Sequence, residues 1–175
     1  MQFSILVLFF HILGAVCLFI GLGMEGVIIQ SLSRVTTTGQ VFSYAGHMKL
    51  LRITFAAAAI LLMLSGLYMT IDSWGWTAWV ICGLTLLIIL AGAGNITGAK
   101  IGGVFKSLAK ADDSLPAEAK EKLSAPFFLK SFKIKIVMAM GIVFMMTMKT
   151  GWLVSIITVV VTFLIGFLLG NSSKK

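Results

Sequence analysis

The chain has 175 residues, 59% of them hydrophobic and only 11% charged, with a mean hydropathy of +1.05. A water-soluble domain of this length needs far more polar surface, so lipid is the expected solvent for most of the chain. The net charge of +8 does not indicate nucleic acid, because the basic residues flank apolar runs and form no single patch.

The first apolar run covers residues 3–23, and its helical pattern continues toward Gln30. Met1-Gln2-Phe3-Ser4 lacks the positive start of a signal peptide, and Gly14-Ala15-Val16 is a poor lipobox ahead of Cys17, so the run reads as a retained span. Cys17 and Cys82 both lie inside apolar runs, which implies no disulfide framework. Gly21-Leu22-Gly23-Met24-Glu25-Gly26 matches G-x-G-x-x-G, but it ends a membrane helix and follows no strand. These glycines read as packing positions, not a dinucleotide site.

Residues 40–51 suit an interfacial segment, and residues 51–71 form a second span. A third span covers 77–97, and Gly94, Gly98 and Gly102 at four-residue spacing predict a close-approach helix seam. Beyond it, residues 98–126 form a cytoplasmic segment. Ile101, Val104, Phe105 and Leu108, with Lys100, Lys106 and Lys110 interspersed, suit a helix lying on anionic headgroups. Ala111-Asp112-Asp113-Ser114 reads as a turn and cap. A short solvated helix follows Pro116, with Glu118 and Lys122 paired at i,i+4.

A fourth span over 127–148 reaches the required length of about 20 residues only by including Lys130, Lys133 and Lys135, which can snorkel toward a basic side. Lys149-Thr150-Gly151 is the expected turn before a fifth span at 152–170. In this arrangement every basic residue except Lys149 falls on one side, which makes that side the cytoplasm. Trp74, Trp76, Trp79, Trp152 and Tyr68 map to the opposite interface. The fold expected is an all-α, single-domain, five-span transmembrane bundle, N-terminus outside and C-terminus cytoplasmic.

His11, Glu25, Asn95 and Lys149 are the costly residues in apolar surroundings. At about 100° per residue, His11, Gly14, Leu18, Gly21 and Glu25 share one helix face, the expected inner face of the first span. His11 and Glu25 lie about 21 Å apart along that helix. Glu25 is expected to pair with Arg34, Lys49 or Arg52 at the interface, and Asn95 to bond across helices. Asp72 and Lys149, the lone charges on the outer side, are a candidate pair. For His11 three roles stay open: a buried hydrogen bond, a proton relay, and axial ligation of haem b or another metal. His47, before the second span, lies at the wrong depth for a bis-histidine haem. Met145 and Met148, one turn apart in a methionine-rich run, are a weak copper(I) candidate.

His11-Ile12-Leu13-Gly14-Ala15, Ser65-Gly66-Leu67-Tyr68 and Phe144-Met145-Met146-Thr147-Met148-Lys149-Thr150-Gly151 together resemble a family of small bacterial integral membrane proteins of unknown function. The histidine-bearing first helix is more loosely similar to the membrane domain of copper-resistance protein D. The family pattern has proline after the lysine, where this chain has Thr150. The resemblance implies a bacterial inner-membrane bundle and no particular activity.

The residues contain no paired carboxylates and no nucleophile–base constellation, so the leading expectation is a non-catalytic membrane protein whose polar face organises helix packing or a partner contact. Its partners would be the bilayer itself and, through the glycine-rich faces, a second copy or another membrane protein. A haem- or copper-handling protein is one alternative. A small proton-coupled transporter component using His11, Glu25 and Asn95 is another.

Overall fold

The computed structural model describes residues 2–109 and 114–171. Among them are α1 (Gln2–Leu32), α2 (Thr38–Ser43), α3 (Ala45–Met69), α4 (Ala78–Leu108), α5 (Ala117–Leu123), α6 (Pro126–Met148) and α7 (Trp152–Asn171). A π-helical turn, Thr70–Trp74, extends α3. The only strand-like feature among the described residues is an isolated bridge between Thr37 and Ser114. The turn and cap expected at Ala111–Ser114 falls largely outside the described residues.

Among the described residues, four helical segments are long and apolar enough to cross a bilayer: Phe3–Leu32, Thr38–Trp74, Ala78–Leu108 and Trp152–Asn171. The fifth long helix, α6, carries three lysines in its first half. Pro126 occupies its first turn, where a missing N–H costs nothing. It ends where Lys149 takes a left-handed conformation with φ 46°, so Lys149-Thr150-Gly151 is a turn and not part of a longer helix.

Long helices successive in the chain run antiparallel. Phe3 at the start of α1 meets Tyr68 near the end of α3, with ring centroids 5.3 Å apart. Lys100, late in α4, lies 3.7 Å from the ring centre of Phe127 at the start of α6. Glycines set the closest approaches: Gly14 faces Leu61 and Leu62, Gly21 faces Phe55, and Gly141 faces Thr162. One end of the bundle is therefore rich in tryptophan and the other in lysine.

Two apolar cores result. The first fills the bundle middle and includes Leu18, Leu22, Ala58, Leu86, Leu90, Met138 and Met145. The second lies at the lysine-rich end, where Ile28 and Leu32 of α1 meet Val41, Leu51, Ile101, Leu108, Leu123 and Phe128. This corrects the expectation for residues beyond 97. The fourth helix continues unbroken to Leu108, and Ile101, Val104 and Leu108 are buried in this second core instead of lying on headgroups. α5 docks there through Ala119 and Leu123, while Lys122 Nζ reaches Glu118 at 2.6 Å on its exposed face. That neighbouring ammonium holds the Glu118 carboxyl below its ordinary pKa. A capping box, Thr37 with Gln40, starts α2. Elsewhere apolar side chains point outward, Leu153 and Leu168 of α7 among the most exposed, as lipid-facing positions do.

Candidate functional site

Two buried polar centres stand out, both on the inner face of α1. The face anticipated from helical spacing is real: His11, Gly14, Leu18, Gly21 and Glu25 are all buried.

The first centre lies toward the tryptophan-rich end. His11 Nδ1 is 2.9 Å from Ser65 Oγ on α3, and the Ser65 hydroxyl also donates to the Leu61 carbonyl one turn back. Gly66, beside Ser65, is what lets the imidazole lie against α3: a Cβ there would stand 3.2 Å from His11 Cε1. The π-helical turn widens the end of α3, and Gly75, at φ 67°, then reverses the chain. Trp74 is thereby set edge-on to His11 at 6.2 Å and close to Trp79 at 5.0 Å. Trp74 and Trp79 thus face the bundle, whereas Trp76 and Trp152 point outward as interfacial residues do. Between these groups is a cavity of about 130 Å³, bounded by His11, Gly66, Thr70, Trp74, Gly83 and Met146 among others.

The second centre lies toward the lysine-rich end. Glu25 is buried, but its partner is not Arg34, Lys49 or Arg52. Lys135 Nζ from α6 donates to Glu25 Oε1 in a pair closed off from solvent, with the lysine side chain fully buried. Lys135 Nζ also lies 3.5 Å from Thr97 Oγ1 of α4, which in turn is 3.1 Å from Ser131 Oγ. Three helices are tied together by this cluster. Lys130 and Lys133 behave differently: Lys130 donates to the Asn171 side chain at 2.7 Å, and Lys133 to the Leu169 carbonyl at 3.1 Å, a backbone acceptor left open at the end of α7.

Lys135 does not snorkel to the basic side as its sequence position suggests but is fully buried, and Thr97 escaped the sequence reading, although a signal existed for both. At about 100° per residue, Lys135 points roughly 140° away from Lys130 and 160° away from Lys133, so the three cannot share one face. The same arithmetic sets Asn95 about 160° from Thr97. The structure puts Thr97 inside and Asn95 outside, so the expected bond from Asn95 across the bundle is not made. Gly94, Gly98 and Gly102 likewise meet nothing within 4 Å of a Cβ position, so the seam they predict is not used within the chain.

The remaining candidates separate. Asp72 accepts from its neighbour Ser73 at 2.7 Å. The ion pairs found among the described residues are Glu118–Lys122 and Glu25–Lys135, so Asp72 and Lys149 do not pair. Met145 is fully buried and Met148 largely exposed, which removes them as a common metal face. His47 is exposed at the lysine-rich end, far from His11. Between the two polar centres, Leu18, Leu22, Ala58, Leu86 and Leu90 form an unbroken apolar layer.

Set against known proteins, the chain matches no family model, and no curated protein or solved structure matches it significantly.

Proposed function

We propose that the chain is a five-span protein of the bacterial cytoplasmic membrane, N-terminus outside and C-terminus cytoplasmic. It acts without covalent chemistry of its own, as a scaffold that assembles with a second copy in the plane of the bilayer. The antiparallel order of the long helices supports five spans. So does the position of α6, whose one deeply placed lysine is neutralised by Glu25. Positive-inside reasoning then sets the lysine-rich end in the cytoplasm. Reporter fusions after Ser73 and Gly151 are expected to read external, and one after Gly39 cytoplasmic. A cytoplasmic signal at Ser73 inverts the model.

Asn95 carries the assembly reading. With Ala91, Ala99 and Gly103 it forms a line at four-residue spacing on the outward face of α4, and all four are exposed. A carboxamide facing hydrocarbon lacks partners, and small neighbours let another helix come close. A second α4 related by two-fold symmetry brings the same line, and an Asn carboxamide is both donor and acceptor, hence self-complementary. In a background with Cys17 and Cys82 replaced by Ala, Ala99→Cys is expected to form disulfide-linked dimers when isolated membranes are treated with copper–phenanthroline and oxygen as the oxidant. Adding Asn95→Val should weaken association by about 1 kcal/mol, or roughly fivefold. Equal cross-linking from Leu168→Cys on α7 would remove the α4 interface.

The alternatives fit less well. A proton path from His11 to Glu25 meets the apolar layer between them. Haem at His11 needs room for a tetrapyrrole, whereas the cavity of about 130 Å³ is well below the ~300 Å³ at which pockets for larger ligands begin. Copper loses its methionine pair because Met145 and Met148 point apart.

A further inference from the structure

At the lysine-rich end, α3 and α4 leave between them a groove of about 380 Å³. Lys49 and Arg52, one turn apart on α3, give it a basic wall, and Ile101 and Phe105 of α4 an apolar wall opposite. Gly98 and Gly102 make the floor, where a Cβ would meet nothing within 4 Å. Both cations are unpaired: the ion pairs found among the described residues are Glu118–Lys122 and Glu25–Lys135. No carboxylate lines the groove. It narrows inward past Arg52 and Gly98 to Gly94 and Phe55, and the acid at that inner end, Glu25, is already neutralised by Lys135.

We propose that this groove binds one anionic phospholipid, its phosphate held by Lys49 and Arg52 and an acyl chain laid along the floor of Gly102, Gly98 and Gly94. Charge complementarity selects the head group. The Arg52 guanidinium presents a planar fork that matches a phosphate, and the Lys49 ammonium adds a second charge one turn away. Basic pockets between membrane helices hold anionic head groups in this way. A zwitterionic lipid has the same tails, but its own cation offsets the charge that the two side chains attract. The surroundings select a lipid over a soluble anion. Ile53 at the rim is 56% exposed, a lipid-facing position, so hydrocarbon adjoins the groove. The glycine floor runs about 12 Å along α4, a track for a chain and not for a small ion. It lies about 100° round α4 from the line of Asn95, so the site is independent of the face proposed for assembly.

The full chain in detergent is titrated with phosphatidylglycerol and with phosphatidylcholine of the same acyl chains, and bound lipid is counted by native mass spectrometry. One phosphatidylglycerol is expected to bind about 25-fold tighter than phosphatidylcholine, roughly fivefold for each cation. Lys49→Gln/Arg52→Gln should erase that preference. Arg34→Gln/Lys120→Gln removes two exposed cations that lie outside the groove and should keep it. Gly98→Leu leaves both cations in place but fills the floor, and should weaken phosphatidylglycerol binding about tenfold. Leucine is the better helix former, so α4 survives that change. An excess of glycerol 3-phosphate should not displace the lipid. If Lys49→Gln/Arg52→Gln fails to fold, the wild-type preference and the Gly98→Leu loss decide the matter. Equal affinities in the wild type, or equal losses in the two glutamine pairs, overturn the proposal. So does unchanged binding in Gly98→Leu, or displacement by glycerol 3-phosphate, which would assign the two cations to a soluble phosphate.

Discussion

Lys135→Met is expected to destabilise the bundle by about 3–5 kcal/mol, because it strands the Glu25 carboxylate in a site with no other cation paired to it. The single change Glu25→Leu should be comparably harmful, since it strands the ammonium. The double variant Glu25→Leu/Lys135→Met removes both charges and substitutes apolar volume. It should recover most of the loss, as buried ion pairs replaced whole by hydrophobic residues commonly do. Thermal unfolding in detergent across the four proteins gives the coupling energy directly. Additive losses would mean that the two side chains do not depend on each other. The clustered hydroxyls sharpen the expectation: Thr97, itself bonded to Ser131, can offer Lys135 a hydrogen bond but no counter-charge.

Gly14→Val is the second large effect, expected to cost about 3 kcal/mol. A Cβ at Gly14 already stands 3.0 Å from Leu61 Cβ and 3.2 Å from the Leu62 backbone nitrogen. Side chains can turn aside, but the α3 backbone cannot, so a branched residue there must push α1 and α3 apart. His11 sits one turn away on α1 and Ser65 one turn away on α3, so the same displacement breaks their 2.9 Å hydrogen bond. Gly23→Val is the matched control: it lies on the same helix, and a Cβ there meets nothing within 4 Å. If thermal unfolding shows the two valine variants losing equal stability, the close approach at Gly14 is not what holds the pair of helices.

What the sequence made legible follows from periodicity and length. The fourth run, 127–148, differs by one residue from α6 at Pro126–Met148, and the turn at Lys149-Thr150-Gly151 lies where the apolar pattern breaks. The inner face of α1 was legible because a single helix fixes its own angles. Partners were not, because they depend on how helices dock. Glu25 has ten lysines and arginines nearer in sequence than Lys135, the first of them Arg34, Lys49 and Arg52, and only the α1–α6 contact selects Lys135. Asn95 shows the complementary limit, since a polar residue within an apolar helix can face a neighbour inside the chain or one outside it, and composition is the same for both. The cavity beside His11 was hidden for a further reason. It arises from side chains that are missing, at Gly66 and Gly83, and from a π-helical turn that no spacing rule announces.

The Glu25–Lys135 pair also constrains how the protein is made. Its members are 110 residues apart in the chain, so a bundle assembled from its N-terminus must house an unneutralised carboxylate through the arrival of α3 and α4. Only when α6 enters does the ammonium reach it. The first helix is thus finished, in the electrostatic sense, by nearly the last one, and a nascent chain halted before α6 is a species for which the membrane has a standing reason not to keep α1 in place.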